Sequence, residues 1–294
     1  MTPSTGPTLS RRAAVAAMFG AIGVVPAGSV AGQATGRYTF AVLGTDYRTP
    51  EEPENTDTIM VSRVDVVAGT VRTLSIPRDL YVAIPGHGSG KINAAFDLAV
   101  KADPRQRWDV GAAATLDTIA HNFGLRFDGV ALTDMGVFPQ IVDAVGGITV
   151  HNPYDLTDQN WPDGMVLPEG PLALDGALAL MYVRARSQDG DGGRVMRQHL
   201  VLRAMLAKLQ DPAVAPRVPE LISTLRQVVR TDIPAAVQVK LAAMLPGLSD
   251  EHLAFTNIEH LLWADYTAEG AWIYQGDWAT LPGYVEGWLA GADV

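Results

Sequence analysis

The sequence has no cysteine. That excludes a disulfide framework and any Cys-ligated metal, and it leaves the compartment undetermined by cysteine usage. Basic residues are scarce: 22 Lys and Arg stand against 32 Asp and Glu in 294 residues, for a formal net charge of −10. A nucleic-acid surface needs a broad basic face to neutralise phosphates, so no nucleic-acid partner is expected. His87, His121, His151 and His199 are scattered without metal-ligand spacing and read as loop or surface residues. Long apolar runs are missing too. The best candidate, Ala13 to Val25, is alanine-rich, broken by Gly20 and Gly23, and shorter than the ~20 residues of a membrane span. What is present is ordinary for a globular chain: 48% apolar and 18% charged residues, enough for a full core.

Residues 1–34 contain no Asp or Glu. Arg11 and Arg12 precede the apolar run, and small residues follow up to Ala34. That is the order of a secretory signal. Ser29-Val30-Ala31 and Gly32-Gln33-Ala34 are candidate cleavage sites, so the mature chain is expected to begin between Gly32 and Thr35. Ser10-Arg11-Arg12 resembles the start of a twin-arginine signal; ordinary secretion and a retained anchor are the alternatives. The reading is an exported, extracytoplasmic protein with one α/β domain over 35–294.

Strands are expected at Arg37–Gly44, Ile59–Val66, Thr70–Ile76 and Leu80–Ile84, each β-branched or aromatic and bounded by turn residues. Pro85–Gly90 reads as a turn and Lys91–Phe96 as a helix start. Leu116, Ile119, Ala120 and Phe123 follow helical spacing and Gly124 stops them, which predicts a helix over Val110–Phe123. Further on come a strand at Phe127–Leu132, a helix at Val137–Val145, a strand at Ile148–Val150 and a long polar loop over 151–170 with Trp161. Helices are predicted at Asp175–Val183, Arg194–Leu209, Glu220–Val229 and Pro234–Leu245. The tail over 246–294 holds Trp263, Trp272, Trp278 and Trp288 and matches no motif. Packing, covering a tunnel mouth and gripping a glycan are its open readings.

Against the acidic background, Tyr182 to Gln198 gathers Arg184, Arg186, Arg194 and Arg197 with Asp189 and Asp191. Arg184 and Arg186 are two apart, so an extended backbone points both one way. Arg194, Arg197 and Gln198 sit at i, i+3 and i+4, on one face of a helix start. Helix starts favour anions, and guanidinium forks match phosphate oxygens. A solvated, salt-bridged helix start is the alternative. Other charged signatures lie at strand ends: Asp46 with Arg48, Asp57, Arg78 with Asp79, and Lys91. Two carboxylates brought together suit a hard ion such as Mg2+, and surrounding bases suit phosphoryl transfer.

The motifs L-G-T-D-Y-R, T-D-T-I-M, S-I-P-R-D, K-I-N-A-A, V-D-A-V-G-G-I-T-V, Y-V-R-A-R and D-G-G-R-V-M-R-Q occur in the order seen in the LytR–CpsA–Psr family. The resemblance covers Phe40 to Leu209, a motif core of 40–209. It implies an α/β fold, a central mixed β-sheet flanked by helices, with an apolar tunnel for a lipid. It implies transfer of a glycopolymer from a polyprenyl-diphosphate carrier to a cell-wall acceptor, a peptidoglycan hydroxyl, at the membrane surface where the lipid substrate lies. By motif position, Asp46 and Asp57 would hold Mg2+ (or Mn2+). Arg78, Lys91, Arg184, Arg186 and Arg194 would hold the diphosphate, with Gln198 and Arg48 beside it. Asp79, Asp191 and Arg197 would support them. The resemblance leaves two other readings: a module that binds or hydrolyses polyprenyl diphosphate, and a transcriptional attenuator, which the charge and export signal oppose. Members commonly carry an amino-terminal membrane helix, and here the signal reads as cleavable.

Overall fold

The computed structural model describes residues 35–46, 54–214 and 229–292. The expected signal, Arg48 and most of the expected helix at 220–229 lie outside these residues.

The first three strands are β1 (Arg37–Thr45), β2 (Thr56–Asp65) and β3 (Thr70–Ser75). They pair in antiparallel order; a short turn joins β2 to β3, and the longer connection 46–55 joins β1 to β2. β6 (Gly129–Asp134) lies parallel to β1, and β9 (Val229–Thr231) pairs with β6. β10 (Leu253–Asn257) comes from the tail and lies parallel to β3. The sheet is therefore six-stranded and mixed, in the order β10-β3-β2-β1-β6-β9. β1 is buried on both faces, which explains its near-continuous apolar run, Phe40 to Leu43.

Helices α1 (Ala94–Ala102) and α2 (Arg107–Phe123) cover one face. Phe96, Ile119 and Phe123 meet Ala41, Leu43, Val61 and Leu74 there. α7 (Leu281–Ala290) joins this layer through Val285 and Leu289. On the other face α6 (Ala235–Met244) places Val237 against Tyr38, Phe40 and Val64. A second core holds α3 (Phe138–Ala144), α4 (Gly176–Arg184) and α5 (Gly190–Gln210) against the hairpin of β7 (Ile148–Asn152) and β8 (Gly170–Leu174). Gly176 allows α4 to close on α3, because a Cβ there would stand 2.2 Å from the Pro139 carbonyl oxygen.

Several expectations need correction. Pro85–Gly90 is not only a turn: β5 (Gly88–Lys91) pairs with β4 (Tyr81–Ile84), and the helix starts at Ala94 rather than Lys91. G-S-G-K carries no strand propensity; pairing to β4 imposes the conformation. The stretch 151–170 is more ordered than a polar loop. Leu156 and Leu167 bridge it, and the Asn152 amide donates to the carbonyls of Tyr154, Leu167 and Pro168. His199 is no surface residue. It lies on α5, bonds Ser75 at 2.8 Å, and burial pulls its pKa down to about 4. The tail is structural through β10, α7 and the hairpin of β11 (Leu262–Tyr266) and β12 (Trp272–Gly276). Trp278 packs edge-on against Phe123 and Trp288 lies under Arg72, whereas Trp263 stays exposed.

Candidate active site

Sheet geometry brings the charged signatures together. β1 and β6 are parallel, so both end on one side of the sheet. β2 is antiparallel to β1, so its start lies beside the end of β1, with Gly44 opposite Thr58 and a register irregularity before Thr45. Asp46 and Asp57 therefore flank the same sheet edge. β3 ends on this side too and delivers Pro77-Arg78-Asp79. α4 ends at Arg184, and α5 begins nearby.

Asp46, Asp57, Arg78, Arg184, Arg186, Arg194 and Gln198 all line one cavity of about 420 Å3. Arg184 pairs with Asp46. Arg78 meets Asp57 at 2.8 Å. Burial opposes the charge on Arg78, but Asp57, Asp79 and Asp191 outweigh it and raise its pKa above the ordinary guanidinium value. Arg194 is 6% exposed; burial pulls its pKa down, and Asp191 at 2.9 Å only partly offsets this. Asp191 also faces Arg186 at 3.9 Å, so it sits between the two arginines. Gln198 donates to the Thr58 hydroxyl at 3.2 Å. Two buried donors in this cluster make no hydrogen bond among the described residues: Nε of Arg194, and Nε of Arg78, which faces the Asp79 carboxylate at 3.5 Å without bonding it. Buried donors in native proteins are nearly always paired, so these two are suited to an anion brought by a ligand.

Lys91 stands elsewhere. It bonds Asp79 at 2.6 Å and lines a neighbouring cavity that shares Asp46, Asp57 and Arg78 with the first. Arg197 departs from the expected face. Its side chain is 1% exposed and does not line the cavity. Its fork donates to the carbonyls of Tyr182 and Ala185 and to both oxygens of Asp189. It braces the backbone on either side of Arg184 from within.

Other lining residues carry no charge motif. Asp158, Asn160 and Trp161 come from the β7–β8 connection, Met135 from the end of β6, and Met181 from α4. Asp158 accepts from the backbone N–H groups of Arg186, Ser187 and Asn160 at 2.8, 3.0 and 2.9 Å. Burial disfavours its charge, but these donors prevail and hold its carboxyl far below the usual range. The only sequence signal was an Asp–Gln–Asn run before Trp161, which has the composition of any turn.

Among the described residues no group of three or more acids or histidines is arranged to hold a metal. The pair Asp46 and Asp57 is not an all-protein cage. Both line the cavity, and two carboxylates are a donor set of the kind Mg2+ takes when water and substrate phosphate complete its shell.

The signature of the LytR_cpsA_psr family matches residues 15–282. The chain belongs to this family. One LytR–CpsA–Psr relative is a protein of Oceanobacillus iheyensis named polyisoprenyl-teichoic acid--peptidoglycan teichoic acid transferase TagU. It is 30% identical over 235 residues, covering 79% of this chain and 69% of the relative. A Bacillus subtilis protein named as the corresponding transferase TagV is 27% identical over 216 residues, 71% of this chain and 52% of that one. A Staphylococcus aureus relative named regulatory protein MsrR is 29% identical over 202 residues, 68% of this chain and 57% of that one. The crystal structure of B. subtilis TagV superposes with a TM-score of 0.71 at 24% identity, covering 87% of this chain and 96% of that one. The LytR–CpsA–Psr fold, a mixed sheet between helices, is therefore the fold of this chain.

Proposed function

We propose that this LytR–CpsA–Psr protein moves a glycopolymer from a polyprenyl-diphosphate carrier to a hydroxyl of peptidoglycan and releases polyprenyl phosphate. The observation that carries the reading is the cavity itself: four arginines and a glutamine line it with Asp46, Asp57 and Asp158, and two buried guanidinium Nε donors make no hydrogen bond among the described residues. Relatives named as teichoic acid–peptidoglycan transferases support the substrate class. Arg78, Arg184, Arg186 and Arg194 hold the diphosphate, and Gln198 orients it. Positioning and charge stabilisation are most of what phosphoryl transfer asks of a protein. The lipid chain departs along the apolar side, past Met135, Trp161, Met181 and Val183. Asp46 and Asp57 would hold a Mg2+ or Mn2+ ion, which when bound supplies positive charge to the phosphate oxygens. Arg184 pairs with Asp46 and Arg78 with Asp57, so the same arginines border both carboxylates and the diphosphate.

Among the described residues no helix is long and apolar enough to cross a membrane. The reading places the protein outside the cytoplasmic membrane, exported by residues 1–34, where carrier lipid and wall polymer meet. The test supplies purified protein with a polyprenyl-diphosphate-linked glycan, with and without peptidoglycan. Glycan joined to peptidoglycan supports the reading. Release of the glycan at the same rate in both arms would make the protein a hydrolase instead.

A further inference from the structure

The second cavity, of about 790 Å3, has no part in the reaction as described so far. Its walls are Tyr81 and Ser89 of the β4–β5 hairpin, Asn55 and Asn93, and Thr267 and Glu269 of the turn joining β11 to β12. Asp46, Asp57 and Arg78 form the partition it shares with the arginine cavity. We propose that this cavity is the acceptor subsite and takes an uncharged, polyhydroxylated sugar unit of the wall polymer. The inference rests on the transferase reading above.

Three observations carry it. The first is chemistry. Amides, hydroxyls and carboxylates line the cavity, and its two cations are engaged, Lys91 with Asp79 and Arg78 with Asp57. Such a wall offers many donors and acceptors to sugar hydroxyls and little to a second phosphate. The second is size. The volume lies in the range that encloses a ligand of several hundred daltons, the scale of a disaccharide. The third is adjacency. The cavity shares Asp46, Asp57 and Arg78 with the arginine cavity, so a hydroxyl held in it stands beside the groups that would hold the diphosphate.

The step balances. The acceptor oxygen forms a bond to the phosphorus that bears the glycan. The bond from that phosphorus to the oxygen of polyprenyl phosphate breaks, and its electrons leave with the lipid phosphate. The hydroxyl proton is released to water.

The experiment titrates the whole chain with a β-1,4-linked N-acetylglucosamine tetrasaccharide by calorimetry. It compares wild type with Ser89→Trp, at an exposed strand position where a larger side chain fills the cavity. Tetrasaccharide affinity should fall at least about tenfold in Ser89→Trp through steric exclusion. A sugar-free prenyl diphosphate, measured in the same way, reports whether the arginine cavity is intact. No tetrasaccharide binding to wild type, or equal binding to Ser89→Trp, overturns the subsite. A glycan-bearing prenyl diphosphate that loses affinity in Ser89→Trp, when the sugar-free one does not, gives the cavity to the donor sugar and overturns the acceptor assignment. Wild type that binds the tetrasaccharide, loses it in Ser89→Trp, yet never joins it to a donor removes the transferase reading while supporting the saccharide site.

Discussion

Replacing Arg197 with methionine should destabilise the protein and disarm the arginine loop together. The side chain is 1% exposed and Asp189 is 20% exposed. Methionine keeps the bulk but removes the donors of the Tyr182 and Ala185 carbonyls and the ion partner of Asp189. Breaking one side of a buried ion pair costs about 3–5 kcal/mol. Each buried acceptor left without a donor adds about 1–3 kcal/mol, but these terms overlap with the first. Asp189 recovers some water and keeps the Tyr154 hydroxyl, so about 4 kcal/mol is the working figure. For a chain of this size that lowers Tm by about 8–16 °C. Arg197→Lys keeps the charge without the fork and should fall between the two. The acid side gives a second readout. Burial would raise the pKa of Asp189, but Arg197 and Tyr154 hold it below the usual carboxylate range. A carboxylate with a lowered folded pKa contributes stability above its unfolded value and loses it as pH falls through the folded one. The gap between wild type and Arg197→Met should therefore narrow below about pH 4. The assay is thermal melting at pH 7 and again down to pH 3. A Tm loss under about 2 °C, or a gap unchanged at low pH, refutes the brace.

Asp57→Ala should lower Mg2+-dependent transfer on the order of 10²–10³-fold with the fold intact, as loss of one charge-stabilising group does; chelator should stop wild type, and full activity in the variant counts against the site. Arg184→Lys should not restore full rate, because a point charge cannot replace the two-pronged fork; kinetics matching wild type would show the fork is not used. His199 has a folded pKa near 4, so the unfolded chain takes up its proton first, and stability falls as pH drops from 6.5 toward 4. His199→Gln should flatten that slope in urea melts, and an unchanged slope would mean other groups set it. Gly176→Ala should cost about 1–3 kcal/mol, since the added methyl meets backbone rather than a movable side chain; a neutral melt would show that α3 and α4 can separate freely.

The central strands were readable because β1, β2 and β3 carry dense β-branched runs closed by short turns. The α2 helix was readable from its spacing and its glycine stop. β5, β8 and β10 were not. G-S-G-K and G-P-L-A-L have no strand signature of their own and are strands because a partner holds them. In the site, each charged motif was visible because it adjoins a strand or helix end, where parallel and antiparallel pairing gathers ends on one side. Lys91 shows the limit, since the pairing of β5 with β4 places it in the second of two adjoining cavities. Arg197 shows another. Spacing places it beside Arg194 and Gln198, but a helical face is wide enough to turn one guanidinium inward while its neighbours meet the cavity. Asp158 and Trp161 could not be found from local sequence, because their position depends on Asp158 accepting from the backbone near Arg186.

The pairing of β10 with β3 has a consequence for how the chain is made. Leu253–Asn257 lies beside Val71–Ser75, so the partners are almost a whole domain apart in sequence. During synthesis β3 can settle against β2 long before its other neighbour exists. Its outer edge then presents unpaired N–H and C=O groups, the kind of template that another chain can capture. Contacts this distant also close slowly. The nascent protein thus spends its most aggregation-prone interval with five of the six strands in place and the outer edge of β3 open. The tail that bears no charged motif is the segment that ends it.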